Sequence, residues 1–200
     1  MVDKSKLEGK GLKEDFGEDL LEGDNFAQLP KELSDHVLMQ WHLIELGLKS
    51  KSNVWVPKND QKKIKEEYQF YDFEEEFSTG IDVPIKYVKN IDCIWKEEFK
   101  INAAFEVENT TDIYSGLLRF SDLKIVAPNS KYPMFIVAPS SKKNKLIEQM
   151  KRPTFKRLEL HKDVKFLSYE NLRSISDFFS QSPRGMNLEV LDSKAEEIKI

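Results

Sequence analysis

Three carboxylates fall within a short stretch of this chain: Asp92, Glu106 and Glu108. Side chains alternate along a β-strand, so Glu106-Val-Glu108 presents both glutamates on one face. The same alternation assigns Ile101, Ala103, Phe105 and Val107 to one side of the strand, and Asn102, Ala104, Glu106 and Glu108 to the other. In the preceding apolar segment Ile91, Cys93 and Trp95 share a face. Asp92 takes the opposite face, where strand pairing sets it beside Glu106. Carboxylates gathered in this way repel, and where partly buried they either protonate or take up a cation. An all-oxygen donor set suits Mg²⁺, with Mn²⁺ as a substitute, better than zinc. The alternative is an exposed strand face on which two glutamates meet water.

Other chemistries find less support. Cys93 is the single cysteine, which excludes an internal disulfide and the cysteine-spaced zinc clusters. His36 and His42 fall on one helix and His161 stands alone, so no histidine metal site or catalytic triad is suggested. The net charge of −4 argues against a protein that coats nucleic acid by bulk electrostatics. Charge is nevertheless segregated: residues 66–82 hold seven acids and no base, while residues 142–173 are rich in Lys and Arg. Both runs read either as solvated faces or as an arrangement in which the basic run meets phosphate. With no apolar leader and no membrane span in the sequence, a cytoplasmic protein is expected.

The elements that must position these residues follow from periodicity. Residues 1–30 lack a sustained pattern and read as a leader or linker, leaving residues 31–182 as one domain and residues 183–200 as a peripheral tail. Leu33, Val37, Trp41, Ile44 and Leu48 recur at helical spacing, with Gly47 near the end. Residues 53–57 form a short strand ended by Pro57, and the acidic segment beyond reads as a surface loop, with room for a short helix. Residues 91–95 and 101–108 predict an antiparallel pair joined across residues 96–100. Behind the capping cluster at residues 109–112, Ile113, Leu117 and Phe120 give a helix to about Lys124. The apolar run 134–139 is a strand buried on both faces, parallel to the Glu108 strand through a right-handed crossover. Helices are expected over 142–151 and 169–179, and a fifth strand over 164–167.

An acid in one strand, thirteen intervening residues, Glu-X-Glu in the next strand, then a helix and a buried strand together resemble the PD-(D/E)XK nuclease core over roughly residues 33–139. The longer run Phe105-Glu-Val-Glu-Asn-Thr-Thr-Asp-Ile-Tyr-Ser-Gly-Leu-Leu-Arg119, followed by Arg152-Pro-Thr-Phe155, is similar to bacterial restriction-endonuclease-like proteins and is far more specific than the triad. The resemblance implies an α/β restriction-endonuclease-like fold (αβββαβ), with a mixed sheet flanked by helices. It implies metal ligation by Asp92 and Glu106. Asn90-Ile-Asp92 lacks the motif's proline, and Glu108 stands where lysine is commoner, as in a subset of type II restriction enzymes.

The expected reaction is phosphodiester hydrolysis. Asp92, Glu106 and the Val107 carbonyl hold Mg²⁺, a bound water attacks phosphorus in line, and Glu108 either holds a second ion or acts as general base. Double-stranded DNA is the implied substrate, restriction or defence the implied role, and a homodimer the assembly that cutting two strands calls for. The competing reading is an inactive binding domain of the same fold; a repair nuclease or an RNase is a third. Glu45, on the flank of the first helix, either completes the metal site or is a solvated charge. Arg119 either contacts phosphate or pairs with Asp122 or Glu108. Lys142, Lys143 and Arg152 are candidate DNA contacts, against the reading of an ordinary basic surface.

Overall fold

The computed structural model describes residues 31–78, 88–109, 113–126, 131–182 and 184–200. Residues 1–30 and the cap expected at residues 110–112 lie outside these. In chain order the elements are α1 (Lys31–Lys49), β1 (Asn53–Trp55), α2 (Lys58–Tyr68), β2 (Cys93–Glu97), β3 (Lys100–Val107), α3 (Ile113–Val126), β4 (Met134–Ala138), α4 (Lys143–Met150), α5 (Pro153–Arg157), β5 (Val164–Ser168), α6 (Tyr169–Ser180), α7 (Leu188–Lys194) and β6 (Glu196–Glu197). The strands make one sheet in the order β1-β2-β3-β4-β5-β6. β1, β2 and β3 are antiparallel neighbours, β3, β4 and β5 are parallel, and β6 returns antiparallel to β5. The chain is thus α/β with a mixed six-stranded sheet, and the strand ending at Glu108 lies beside that of Met134 as the crossover argument requires.

Helices cover both faces of the sheet. On one, Trp95, Phe105, Val107, Phe135 and Leu167 pack under α1, α6 and α7. On the other, Ala104, Ile136, Ala138 and Phe166 pack under α3, α4 and α5 through Leu117, Phe120, Leu146 and Phe155. β4 is buried along its whole length, which is why it reads as an unbroken apolar run. Gly47 is needed for close approach more than for ending α1, because a Cβ there would lie 2.6 Å from the Trp95 Nε1. That indole donates to the Leu43 carbonyl at 3.0 Å and fixes α1 against β2.

Several expectations are corrected. β3 carries a bulge: Trp95 pairs with Ala103 but Lys96 with Ile101, leaving Asn102 without a partner. Ile101 therefore packs on the opposite face from Ala103, Phe105 and Val107, and β2 runs on to Glu97 so that the turn is only Glu98-Phe99, with Glu98 at φ 53°. β2 begins at Cys93, so Ile91 lies in a bend and packs with Ile94 instead of with Cys93 and Trp95. Residues 58–68, expected as a surface loop with room for a short helix, are an eleven-residue helix with only Gln61 and Ile64 buried. Residues 183–200 are not a loose periphery: Met186, Leu191 and Ile198 are buried and β6 forms a sheet edge. On α1 the buried side runs through Met39, Leu43, Ile44 and Leu46, while Trp41 stacks on Tyr68 and Leu48 is exposed. Among the described residues no helix is long and apolar enough to cross a membrane.

Candidate functional site

The site forms where the parallel strands end. β3 carries Glu106 on the α3 side of the sheet, and Glu108 follows it off the strand with its N–H donating to the Val137 carbonyl at 2.8 Å. One residue beyond the Cys93–Phe105 pair, Asp92 stands across from Glu106. Its Oδ2 accepts from the Val107 N–H at 2.8 Å, a bond that locks the carboxylate against the end of β3. All three acids are buried, and Glu106 is completely so. α3 comes very close over them: a Cβ on Gly116 would lie 2.7 Å from Glu108 Oε1 and 3.3 Å from Glu106 Cβ. Only a glycine lets helix backbone sit at that distance without displacing Glu108.

Arg119, one turn further along α3, supplies the positive charge. Its Nε donates to Glu106 Oε1 at 2.7 Å and its Nη2 to Glu106 Oε2, a bidentate fork. The same Nη2 stands 3.9 Å from Asp92 Oδ1. The sequence reading pairs Arg119 with Asp122 or Glu108, or with phosphate; the structure brings it to Glu106 and Asp92, with Glu108 acting on it electrostatically as well. Burial pushes the Glu106 carboxyl well above its usual range, Asp92 adds to the rise, and Arg119 opposes it. Asp92 is also raised by burial, against the pull of His36, Arg119 and the Val107 N–H. Arg119 remains charged throughout, so the cost of burying this group falls on the carboxylates.

A second group of polar side chains lies on the other flank of Asp92. His36 on α1 donates from Nδ1 to the Val107 carbonyl at 3.0 Å. One turn on, the Gln40 Nε2 donates to Asp60 Oδ2 at 3.2 Å and to the Asp92 carbonyl at 3.1 Å. His36, Asp60 and Asp92 each offer a ligand atom, and these atoms lie within 4.8 Å of one another. Sequence reasoning named Asp92 but missed its partners here: it set the histidines aside and left Asp60 in a segment read as surface loop with room for a short helix. The available signal was the polar pair His36 and Gln40 at i, i+4 on a helix whose neighbouring positions are buried.

The remaining candidates lie apart from the three acids. Glu45 is nine residues along α1 from His36, about 13 Å by helical rise. It is half-exposed beside His42, and the structure does not bring it to Asp92. Its carboxyl is raised by burial, with Lys49 opposing. Lys143 is paired with Glu196. Lys142 ends the short 3₁₀ turn after β4. Arg152 lies 4.6 Å over the Tyr114 ring and donates to Gln149. Much of the basic run is neutralised locally, through Lys151–Glu148, Lys162–Glu159, Lys165–Asp192 and Arg173–Asp35. In the acidic run, Glu74 pairs with the buried Lys96 at 2.6 Å.

Similarity to known proteins agrees with the restriction-enzyme resemblance. Over 170 residues, 78% of this chain, the sequence is 29% identical to the type II restriction enzyme NmeDI of Neisseria meningitidis serogroup C. The aligned part is 47% of that protein, so the chain spans about half the length of the relative it matches. No solved structure matches the chain. The family model for the C-terminal domain of type II restriction enzyme NmeDI matches residues 23–198, nearly the whole sequence, and the chain belongs to that family.

Proposed function

We propose that this chain is a metal-dependent endonuclease of the PD-(D/E)XK type, hydrolysing double-stranded DNA in restriction or another defence against foreign DNA in the cytoplasm. The observation that carries this reading is the convergence of Asp92 and Glu106, both buried, on one guanidinium at the end of a central strand. Their burial against one another needs positive charge, and an Mg²⁺ or Mn²⁺ ion suits their oxygen donors. The Val107 carbonyl adds a third donor, since its bond to His36 uses one of two lone pairs. When bound, a divalent ion supplies Lewis-acid charge to the phosphoryl oxygens and activates water for in-line attack.

The chain's own residues do the rest. The Val107 N–H holds Asp92 in one orientation, so the carboxylate is pre-set rather than free to rotate. Glu108, pressed by α3 at Gly116, takes the proton of the attacking water or joins a second ion position. Arg119 neutralises Glu106 in the resting site. Leaving it, the guanidinium fork is suited to a phosphate oxygen. Lys142 and Arg152 extend a basic edge toward the DNA backbone, and cleavage of both strands calls for two copies of the site in a dimer.

A second reading is a DNA-contacting domain that does not cut. It draws on one observation: both Glu106 oxygens are already satisfied by Arg119. Supercoiled plasmid, single-stranded DNA and RNA, each incubated with the purified chain in Mg²⁺, Mn²⁺ or EDTA, separate the two. Nicked or linear plasmid in metal and none in EDTA is the expected result. DNA bound but uncut in every metal would leave the second reading, and neither binding nor cleavage would overturn both.

A further inference from the structure

We propose that His36, Asp60 and Asp92 form a divalent-metal position of their own, on the α1 and α2 flank of Asp92, suited to a borderline first-row ion such as Mn²⁺, Co²⁺ or Zn²⁺. It shares Asp92 with the hydrolytic centre proposed above. It rests on a separate set of contacts and holds whether or not the chain cuts DNA.

The three ligand atoms come from three elements and lie within 4.8 Å of one another. Around an ion with bonds of about 2.1 Å, ligand atoms sit about 3 Å apart when adjacent and about 4 Å apart when opposite. Closure of at most about 2 Å, within reach of side-chain rotation, therefore converts this group into a coordination shell. The imidazole is already set for the purpose. A carbonyl oxygen can only accept, so the 3.0 Å contact to Val107 places the proton on His36 Nδ1 and, in the neutral ring, leaves the lone pair on Nε2. A backbone carbonyl that fixes the tautomer of a histidine is the usual outer support of a metal-bound imidazole, and here it leaves Nε2 as the nitrogen able to bind an ion.

Gln40 provides an independent observation. Its Nε2 bridges Asp60 Oδ2 and the Asp92 carbonyl, yet its Oε1 is buried with no hydrogen-bond partner. Gln40 as a whole is 0% exposed. Reversing the amide would not help, because it would set oxygen against two acceptors. A buried orphan acceptor on the amide that bridges Asp60 and Asp92 fits an ion or a water carried by one. Lys63 reaches Asp60 Oδ1 at 3.4 Å and leaves Oδ2 toward Gln40. One nitrogen and two carboxylates favour Mn²⁺, Co²⁺ and Zn²⁺ over Ca²⁺, which prefers six to eight oxygens.

The test uses Co²⁺, whose visible absorption reports a nitrogen donor, titrated into the metal-free chain with calorimetry alongside. Wild type is expected to bind Co²⁺ with a d–d band. His36→Ala and Asp60→Asn are expected to weaken binding at least tenfold and alter the band, whereas Glu106→Gln, which lowers only uptake at the hydrolytic centre, leaves the nitrogen-dependent band in place. His36→Gln, which keeps a donor for Val107, controls for loss of fold and is expected to fail in the same way as His36→Ala. Co²⁺ binding unchanged in the His36 and Asp60 variants would overturn the proposal, as would loss confined to Glu106→Gln or no uptake by wild type. A chain that binds Co²⁺ as described but cuts no DNA would leave this site standing and remove the nuclease reading alone.

Discussion

Arg119→Ala is the perturbation whose energetic outcome the geometry fixes most closely. The substitution removes a bidentate partner from Glu106, which is completely buried, and a positive charge 3.9 Å from Asp92. Removing one member of a buried ion pair costs about 3–5 kcal/mol. The Arg119 side chain is 26% exposed, so water softens the loss and the lower figure, about 3 kcal/mol, applies. For a domain of this length that is a fall in Tm of about 6–12 °C. The cost depends on pH. Glu106 has a folded pKa raised above the ordinary value of 4.5, so the folded state holds the proton more tightly than the unfolded one. That contribution is fully present below about 4.5 and is lost as pH rises through the folded value. Without Arg119 the folded value climbs further, so the penalty of Arg119→Ala is smallest below about 4.5 and grows as pH rises through the folded value. Urea melts in EDTA of wild type, Arg119→Ala, Glu106→Gln and the double variant measure the coupling directly. The double variant is expected to recover most of the loss, and added Mg²⁺ to stabilise Arg119→Ala more than wild type. A penalty below about 0.5 kcal/mol at pH 8, or one that shrinks as pH rises, would refute the reasoning.

Three further outcomes follow from close contacts. Gly47→Ala drives a Cβ against the Trp95 indole and Val54, at 2.6 and 2.7 Å, and is expected to cost about 1–3 kcal/mol by overpacking, read as a lower urea midpoint with an unchanged slope. Gly116→Ala gains about 1 kcal/mol of helix propensity but displaces the Glu108 carboxylate, so Tm is expected to hold while DNA cleavage falls. Tm and cleavage falling together would mean that the helix, not Glu108, had moved. Lys143 is already committed to Glu196, so Lys143→Ala is expected to leave the salt dependence of DNA binding unchanged, whereas Lys142→Ala reduces its log–log slope by about one.

How much of this was legible in the sequence depended on the range of the forces involved. Alternation from Ala103 to Glu108 is regular, so the common face of Glu106 and Glu108 could be read residue by residue. The bulge at Asn102 breaks the period, and nothing local announces it, so Ile101 was placed on the wrong side. Asp92 was found opposite Glu106 even though Ile91 was misplaced, because the register beyond Cys93 continues for the one residue that matters. α2 was read as no more than a short helix within a loop because only Gln61 and Ile64 of its residues are buried, too few for an amphipathic period. Met186, Leu191 and Ile198 are too widely spaced to signal that residues 183–200 complete the sheet. His36, Asp60 and Asp92 meet only through the docking of α1 and α2, which the Trp95–Leu43 bond and the Gly47 contact help to set. Of such long-range contacts only the His36–Gln40 spacing on α1 leaves a trace in the sequence.

The measurement that bears most directly on the hydrolytic assignment is cleavage of a labelled DNA duplex by Asp92→Asn, beside wild type, with binding of the same duplex followed in Ca²⁺. Asp92→Asn keeps an oxygen for the Val107 N–H, so the end of β3 stays in place while the charge that a metal requires is removed. The account gives cleavage by wild type in Mg²⁺ or Mn²⁺, at least a hundredfold loss in Asp92→Asn, on the order of what removing a key electrostatic group costs, and similar duplex affinity for both in Ca²⁺. Cleavage by Asp92→Asn at the wild-type rate, or by wild type in excess EDTA, would contradict it.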